Sequence, residues 1–244
     1  MTTHETKPST LAGKRIVVIG GSSGMGLATA QAAAEAGAKV IIASRSAEKL
    51  DEARKQIPGR VAVLPLDVTD AAAVQEAFGQ LGPIDHLVVS GSATSAGEFR
   101  SQPLRDARAT FESKFWGAYS AVRSAQFNAG GSVVLFSGVF SRRPAPGYVA
   151  MAAVNGAIES LGRALAVELA PLRVNVVSPG MTDTPAYAGM PQAQREGMFA
   201  AVAAHLPARR IGRPADLAAA VLHLLGNGYV TGTVLDVDGG ALLV

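Results

Sequence analysis

The chain has 244 residues, 48% of them hydrophobic and 17% charged, with a formal net charge of +3 and no cysteine. That length and apolar content suit one large α/β unit with a deep core, and the missing cysteine excludes disulfides, thiolate metal sites and cysteine nucleophiles. No apolar run reaches the ~18 residues of a membrane span, and the pairs Arg142-Arg143 and Arg209-Arg210 are too short for a nucleic-acid footprint.

Residues 1–10 are polar and lack the apolar centre of a secretory signal, so they read as a flexible tail before a single domain over 11–244. With no cysteine, a cytoplasmic location is expected. The first strand, 16–19, runs into Gly20-Gly21-Ser22-Ser23-Gly24-Met25-Gly26 and a helix over 25–36. Gly20, Gly24 and Gly26 permit a tight turn and a close backbone approach. The helix start, with Ser22, Ser23 and Met25 beside it, offers free N–H groups and a favourable dipole, which is what a pyrophosphate requires. Gly37 follows as a left-handed cap.

The second strand, 40–43, ends in Ser44-Arg45. A carboxylate at position 44 would hold a ribose 2′-hydroxyl and repel a 2′-phosphate. Ser44 does not repel it, and Arg45 can pair with it, so NADP(H) is expected in preference to NAD(H). Ser46 and Asp70 are candidate N-caps for helices over 47–56 and 71–78, with a strand at 61–66 and Asp67-Val68 between them. A fourth strand, 86–89, ends at Ser90-Gly91.

A helix over 111–125 carries Lys114, a strand at 132–136 leads to Ser137-Gly138, and a helix over 149–169 begins beside Tyr148 and carries Met151 and Asn155. In the loop before it, Arg142 and Arg143 either meet an anionic substrate or face water. A sixth strand, 174–177, precedes Pro179-Gly180-Met181-Thr182-Asp183-Thr184. Residues 182–206 show weak periodicity and read as a flap over a cleft. Tyr187, Met190, Met198 and Phe199 in it either meet an apolar or aromatic small molecule or pack the flap down. Pro214 opens a helix over 215–225, and the last strand is 234–237. His4, His86, His205 and His223 have no metal-ligand spacing, so no metal is expected.

Several of these strands are apolar throughout, which suits a parallel sheet buried on both faces. Regular strand–helix alternation implies right-handed crossovers. The fold class expected is a Rossmann-type α/β fold: a doubly wound, seven-stranded parallel sheet in three α/β/α layers.

The glycine turn, Asp67-Val68, the segment 179–184, Gly212-Arg213-Pro214-Ala215-Asp216 and the segment 230–240 together resemble the short-chain dehydrogenase/reductase superfamily over about 11–244. The resemblance implies cofactor contacts at Gly20, Ser22, Ser23, Gly24, Met25, Gly26, Ser44, Arg45, Asp67, Val68, Ser90, Gly91, Pro179, Gly180, Thr182 and Thr184. It also implies a homodimer or homotetramer. That family carries an Asn-Ser-Tyr-Lys active site, and the matching positions here hold Lys114, Gly138, Met151 and Asn155. Methionine and glycine neither donate nor shuttle a proton, so a standard ketone-reductase mechanism is not expected.

Tyr148 and Met151 resemble the enoyl reductase branch of the superfamily, where tyrosine precedes lysine by seven positions with methionine between. Asparagine and lysine are also exchanged relative to the family pattern. Lys114 either delivers the site's ammonium from the other helix, binding ribose hydroxyls or biasing Tyr148, or snorkels at the surface. Ser137 stands one residue before the family's serine, and alternation along a strand points it elsewhere unless the strand end twists. Tyr148, Lys114, Asn155 and Ser137 are therefore the candidate catalytic residues. The function expected is NADP(H)-dependent reduction of a small carbonyl or conjugated enone or quinone at a rearranged site. The alternative is a catalytically inactive NADPH-binding protein acting as sensor or scaffold.

Overall fold

The apolar runs form seven parallel strands in one sheet: β1 (Arg15–Ile19), β2 (Lys39–Ser44), β3 (Ala62–Pro65), β4 (Ile84–Val89), β5 (Phe127–Phe136), β6 (Arg173–Pro179) and β7 (Val234–Val237). The computed structural model describes residues 10–91 and 95–244; residues 1–9, which include His4, and Ser92 lie outside them. The strand order is β3-β2-β1-β4-β5-β6-β7, a Rossmann-type doubly wound arrangement whose direction of winding reverses between β1 and β4.

Alternation along the strands feeds two cores. Ile16 and Val18 of β1 face the layer of α1 (Gly24–Glu35) and α8 (Pro214–Gly226), with Ala30, Ala33, Leu217 and Val221 in that core. Val17 and Ile19 face the opposite layer, with Phe78 of α3 (Ala71–Leu81), Ala118 and Ala121 of α5 (Gly117–Ser124) and Ile158 of α6 (Val149–Glu168). Burial on both faces explains why these strands read as continuous apolar runs. Closest approach comes where side chains vanish: a Cβ on Gly162 of α6 would stand 2.3 Å from Val176 of β6.

The punctuation follows the sequence. Ser46 accepts from the Lys49 amide at the start of α2 (Ala47–Arg54), and Asp70 accepts from the Ala72 and Ala73 amides at the start of α3. Gly37 has φ +84°, as a left-handed cap requires.

Two elements differ from expectation. The helix expected over 111–125 begins earlier, as α4 (Leu104–Phe111), and reaches α5 through a π-helical turn, Glu112–Trp116. The extra residue breaks the 3.6-residue period on which the reading relied. Within 182–206 lies a helix, α7 (Gln192–His205), of which no residue is buried. Met198, Phe199, Val202 and Ala203 form a half-buried stripe at helical spacing, but exposed alanines fill the other face as well, so its period is weak in the sequence.

Candidate functional site

At the winding reversal, a groove of ≈ 440 Å³ opens at the carboxyl ends of the strands, lined by the glycine turn, the ends of β2 and β4, Asp67 to Thr69, Ser113 and Thr184 to Ala186. The glycines divide the labour. A Cβ on Gly20 would meet the Gly91 amide nitrogen at 2.3 Å, and one on Gly26 would meet the Gly20 carbonyl oxygen at 2.2 Å, so both are needed to pack the turn against the end of β4. Gly24 has φ +54° and open space before it, its nearest neighbour being Thr184 at 3.5 Å. The start of α1 is therefore bare backbone facing the groove, as an anion site requires.

Ser22, Ser23, Met25, Ser44, Arg45, Val68, Ser90 and Gly91 also line the groove. Ser44 Oγ is buried without a hydrogen-bond partner, which is rare for a hydroxyl unless a ligand completes it. Arg45 and Lys49 line the same groove, two cations able to pair with a phosphate. Lys49 escaped the sequence reading because it belongs to the next helix and to no motif. The Asp67 carboxylate accepts from the Thr69 amide (3.0 Å) and hydroxyl (2.8 Å), and chiefly the amide bond lowers its pKa, keeping it an ionised acceptor. The bare helix start, the orphaned hydroxyl and the two cations are groups that the phosphates and sugars of a dinucleotide engage, so the residues present fit a nicotinamide cofactor.

Pro179, Gly180 and Thr182 do not line the groove. Gly180 is required by packing, since a Cβ there would stand 2.7 Å from Asp238 Cα. Thr182 is buried, donates to the Gly180 carbonyl at 3.1 Å and bridges to Gly212. Thr184 alone of that segment's expected contacts reaches the groove.

The exchanged residues touch one another. Lys114 sits in the π-helical turn, and its Nζ donates to the Asn155 side-chain oxygen at 2.6 Å and to the Ser137 carbonyl at 2.9 Å. Asn155 is buried, and its Nδ2 donates to the Gly138 carbonyl at 3.2 Å. Lys114 is thus no snorkelling surface residue: its ammonium is desolvated, which brings its pKa down to about 8. A void of ≈ 10 Å³, near the size of one water, is lined by Lys114 together with groove residues Ser90 and Gly91. Gly138 is committed to this arrangement, because a Cβ there would meet Asn155 Nδ2 at 2.8 Å.

Ser137 is buried and turns its hydroxyl to Glu159 at 3.3 Å; what it offers Lys114 is its carbonyl. Tyr148 precedes α6 with φ −119° and ψ 25°, so it is the cap residue and shares no helical face with Met151. Its ring stacks on Phe140 at 4.4 Å. Across from it Tyr187 meets Phe199 edge-on at 5.3 Å, and burial, with smaller effects from Tyr148 and Asp183, raises the Tyr187 pKa. Arg142 grips Asp236 with both terminal nitrogens and Ser178 Oγ at 3.1 Å, and Arg143 donates to the Ala241 carbonyl at 2.6 Å. Both arginines therefore tie the loop to the C-terminal segment. Among the described residues no cluster of His, Cys, Asp or Glu is arranged to hold a metal ion, and no helix is long and apolar enough to cross a membrane.

Residues 19–241 match a family model described as enoyl-(acyl carrier protein) reductase. A short-chain dehydrogenase/reductase, ATR9, of Stachybotrys chlorohalonatus is 34% identical over 96% of this chain and 99% of its own. A small-chain dehydrogenase crystallised in complex with NADPH is 37% identical, with TM-score 0.81 over 95% of this chain and all of that one. The MalC reductase/Diels-Alderase of Malbranchea aurantiaca superposes with TM-score 0.90 at 29% identity, over 97% of this chain and 99% of that one.

Proposed function

The chain belongs to the short-chain dehydrogenase/reductase family of oxidoreductases, and on that premise we propose that it is an NADP(H)-dependent reductase of small conjugated carbonyl compounds, enones or quinones, working without the family's standard proton donor. The observation that carries the reading is the Lys114 ammonium, held by Asn155 and Ser137 beside a small void that Lys114 lines together with groove residues Ser90 and Gly91.

Bound in the groove, a reduced nicotinamide supplies the hydride. The chain's own residues bind, orient and polarise. Ser44, Arg45 and Lys49 hold the 2′-phosphate, the glycine turn holds the pyrophosphate, and Asp67 meets the adenine edge. Lys114 places a fixed positive charge where ribose hydroxyls and the acceptor's developing negative charge come together. Met151 and Gly138 supply no proton, which favours an acceptor whose conjugation already spreads that charge. Tyr148 is the phenol this reading assigns to protonate the product. The Phe140–Tyr148 stack and the Tyr187–Phe199 pair favour a flat apolar or aromatic substrate under a flap formed by 182–206. Family membership and the half-exposed Trp116 and Tyr119 on the α5 side support a homodimer or homotetramer.

The test is NADPH oxidation against a panel of simple ketones, enones and quinones, with Lys114→Met in parallel. Turnover of conjugated acceptors that falls at least tenfold in the variant is expected. Tight NADPH binding with no turnover of any acceptor would instead favour the sensor or scaffold reading.

A further inference from the structure

One buried charge beside this site has no part in the proposed reaction. Glu159 is 5% exposed and lies four residues after Asn155 on α6. A buried carboxylate is costly unless hydrogen-bonded, and its neighbours in sequence, Ile158 and Leu161, are core residues that ask for nothing polar. Its Oε1 accepts from Ser141 Oγ at 2.6 Å and from Ser137 Oγ at 3.3 Å. Arg142 approaches to 3.6 Å, but its short bonds go to Asp236. The groups facing Glu159 are thus Ser137, Ser141 and Arg142 from the loop, with Asp236 of β7 behind Arg142.

Two of those contacts lead to the site. Ser137 and Gly138 are the residues whose carbonyls accept from Lys114 (2.9 Å) and Asn155 (3.2 Å). Ser141 Oγ also lies 3.0 Å from the Gly138 carbonyl, yet it has one proton for two acceptors. The ionised carboxylate is the stronger acceptor and draws that proton, leaving the Gly138 carbonyl to Asn155.

We propose that Glu159 is a positioning residue: it fixes the Ser137–Gly138 peptides at the end of β5, and through their carbonyls it holds Asn155 and the Lys114 ammonium at the cofactor groove. The proposal rests on the reading of Lys114 given above. With glutamine at 159, the new amide can donate to Ser141 Oγ. The hydroxyl then turns to the Gly138 carbonyl, competes with Asn155 and loosens the acceptors around Lys114.

The test reads Lys114 directly and needs no substrate. The chain has six lysines, so in protein labelled with 13C-lysine the side-chain signals can be assigned, that of Lys114 by its loss in Lys114→Met. Lys114 is titrated in the wild type, in Glu159→Gln and in Ser141→Ala. A lower midpoint is expected in Glu159→Gln, by about half a unit or more, a threefold loss of proton affinity, with a smaller shift of the same sign in Ser141→Ala. Glutamine removes a negative charge as well as the anchor, and that alone lowers the Lys114 midpoint. Ser141→Ala keeps the carboxylate and is therefore the deciding variant: a carboxylate that acts only by its charge or fills space predicts no shift there, and that result overturns the proposal. If Glu159→Gln does not fold, Ser141→Ala decides alone. An unreactive wild type in the acceptor panel would remove the reductase reading while leaving this titration to judge Glu159.

Discussion

Gly138→Ala tests whether the non-standard residues form one packed set. Gly138 has φ 164°, extended backbone open to any residue, so the substitution adds no backbone strain. Its whole effect comes from a methyl group 2.8 Å from Asn155 Nδ2. Asn155 is 1% exposed and bonded at both ends, to Gly138 and to Lys114, so it cannot step aside freely. Moving it forfeits a neutral hydrogen bond and weakens a charge-assisted one, and together with local overpacking this costs about 2 kcal/mol. For a chain of this size that lowers Tm by about 4–8 °C. Asn155→Ala alone costs about 2–3 kcal/mol, by leaving Lys114 one acceptor short and opening a cavity. In the double variant the methyl group at 138 has nothing to strike, so it should be no less stable than Asn155→Ala alone. Urea unfolding of the four proteins therefore gives a coupling energy of about 2 kcal/mol. Additive effects, with the double variant losing the sum, would refute the claim that Gly138 is glycine because Asn155 is there.

Three further outcomes follow from the same geometry. Arg45→Ala should weaken NADPH binding by about 10- to 100-fold and leave NADH nearly unchanged, and Ser44→Asp should reverse the preference; titration calorimetry with both nucleotides reads each. The Lys114 pKa is lowered to about 8, so turnover that depends on its ammonium should fall as pH rises through that value, whereas residual turnover of Lys114→Met should be flat across it. His86 is buried against Ser132 Oγ at 2.8 Å, and burial depresses its pKa to about 4 from 6.5. Between those values the unfolded chain binds the extra proton. Stability is therefore full above pH 6.5 and falls as pH drops towards 4, by about 2–3 kcal/mol at pH 4.5, and urea midpoints of wild type and His86→Asn should converge over that window.

The sheet was legible because its inner strands, β1, β2, β4, β6 and the second half of β5, are largely apolar and buried on both faces, and the glycine turn because its spacing is imposed by backbone contact at Gly20 and Gly26. Side chains that act at a distance along the chain were less visible. Lys49 reaches the groove from the next helix, and the half-buried stripe of α7, Met198, Phe199, Val202 and Ala203, is blurred by alanines on its exposed face. Thr182 sat in a motif, yet its hydroxyl is used by the backbone next to it. Pairing Lys114 with Asn155 was readable as an exchange between two helices. That the π-helical turn carries the ammonium, and that Glu159 lies behind its acceptors, depends on contacts 18 to 41 residues apart that no local pattern records.

An exchange of lysine and asparagine between α5's approach and α6 is not neutral even though the two side chains still meet. The family's lysine carries its charge on the helix that also bears the tyrosine, whereas here the charge rises from the opposite helix and Asn155 accepts from it. Both acceptors of Lys114 are neutral oxygens, an amide and a peptide carbonyl. A carboxylate in either place would hold the ammonium more tightly and would also cancel its field at the groove. Neutral acceptors fix the charge without a counter-ion, which is what the role proposed for Lys114 requires. The same choice explains the depressed pKa, since burial without a counter-ion disfavours the charged form. It also explains why the nearby carboxylate, Glu159, stands behind the peptide that holds Lys114 and not against its nitrogen.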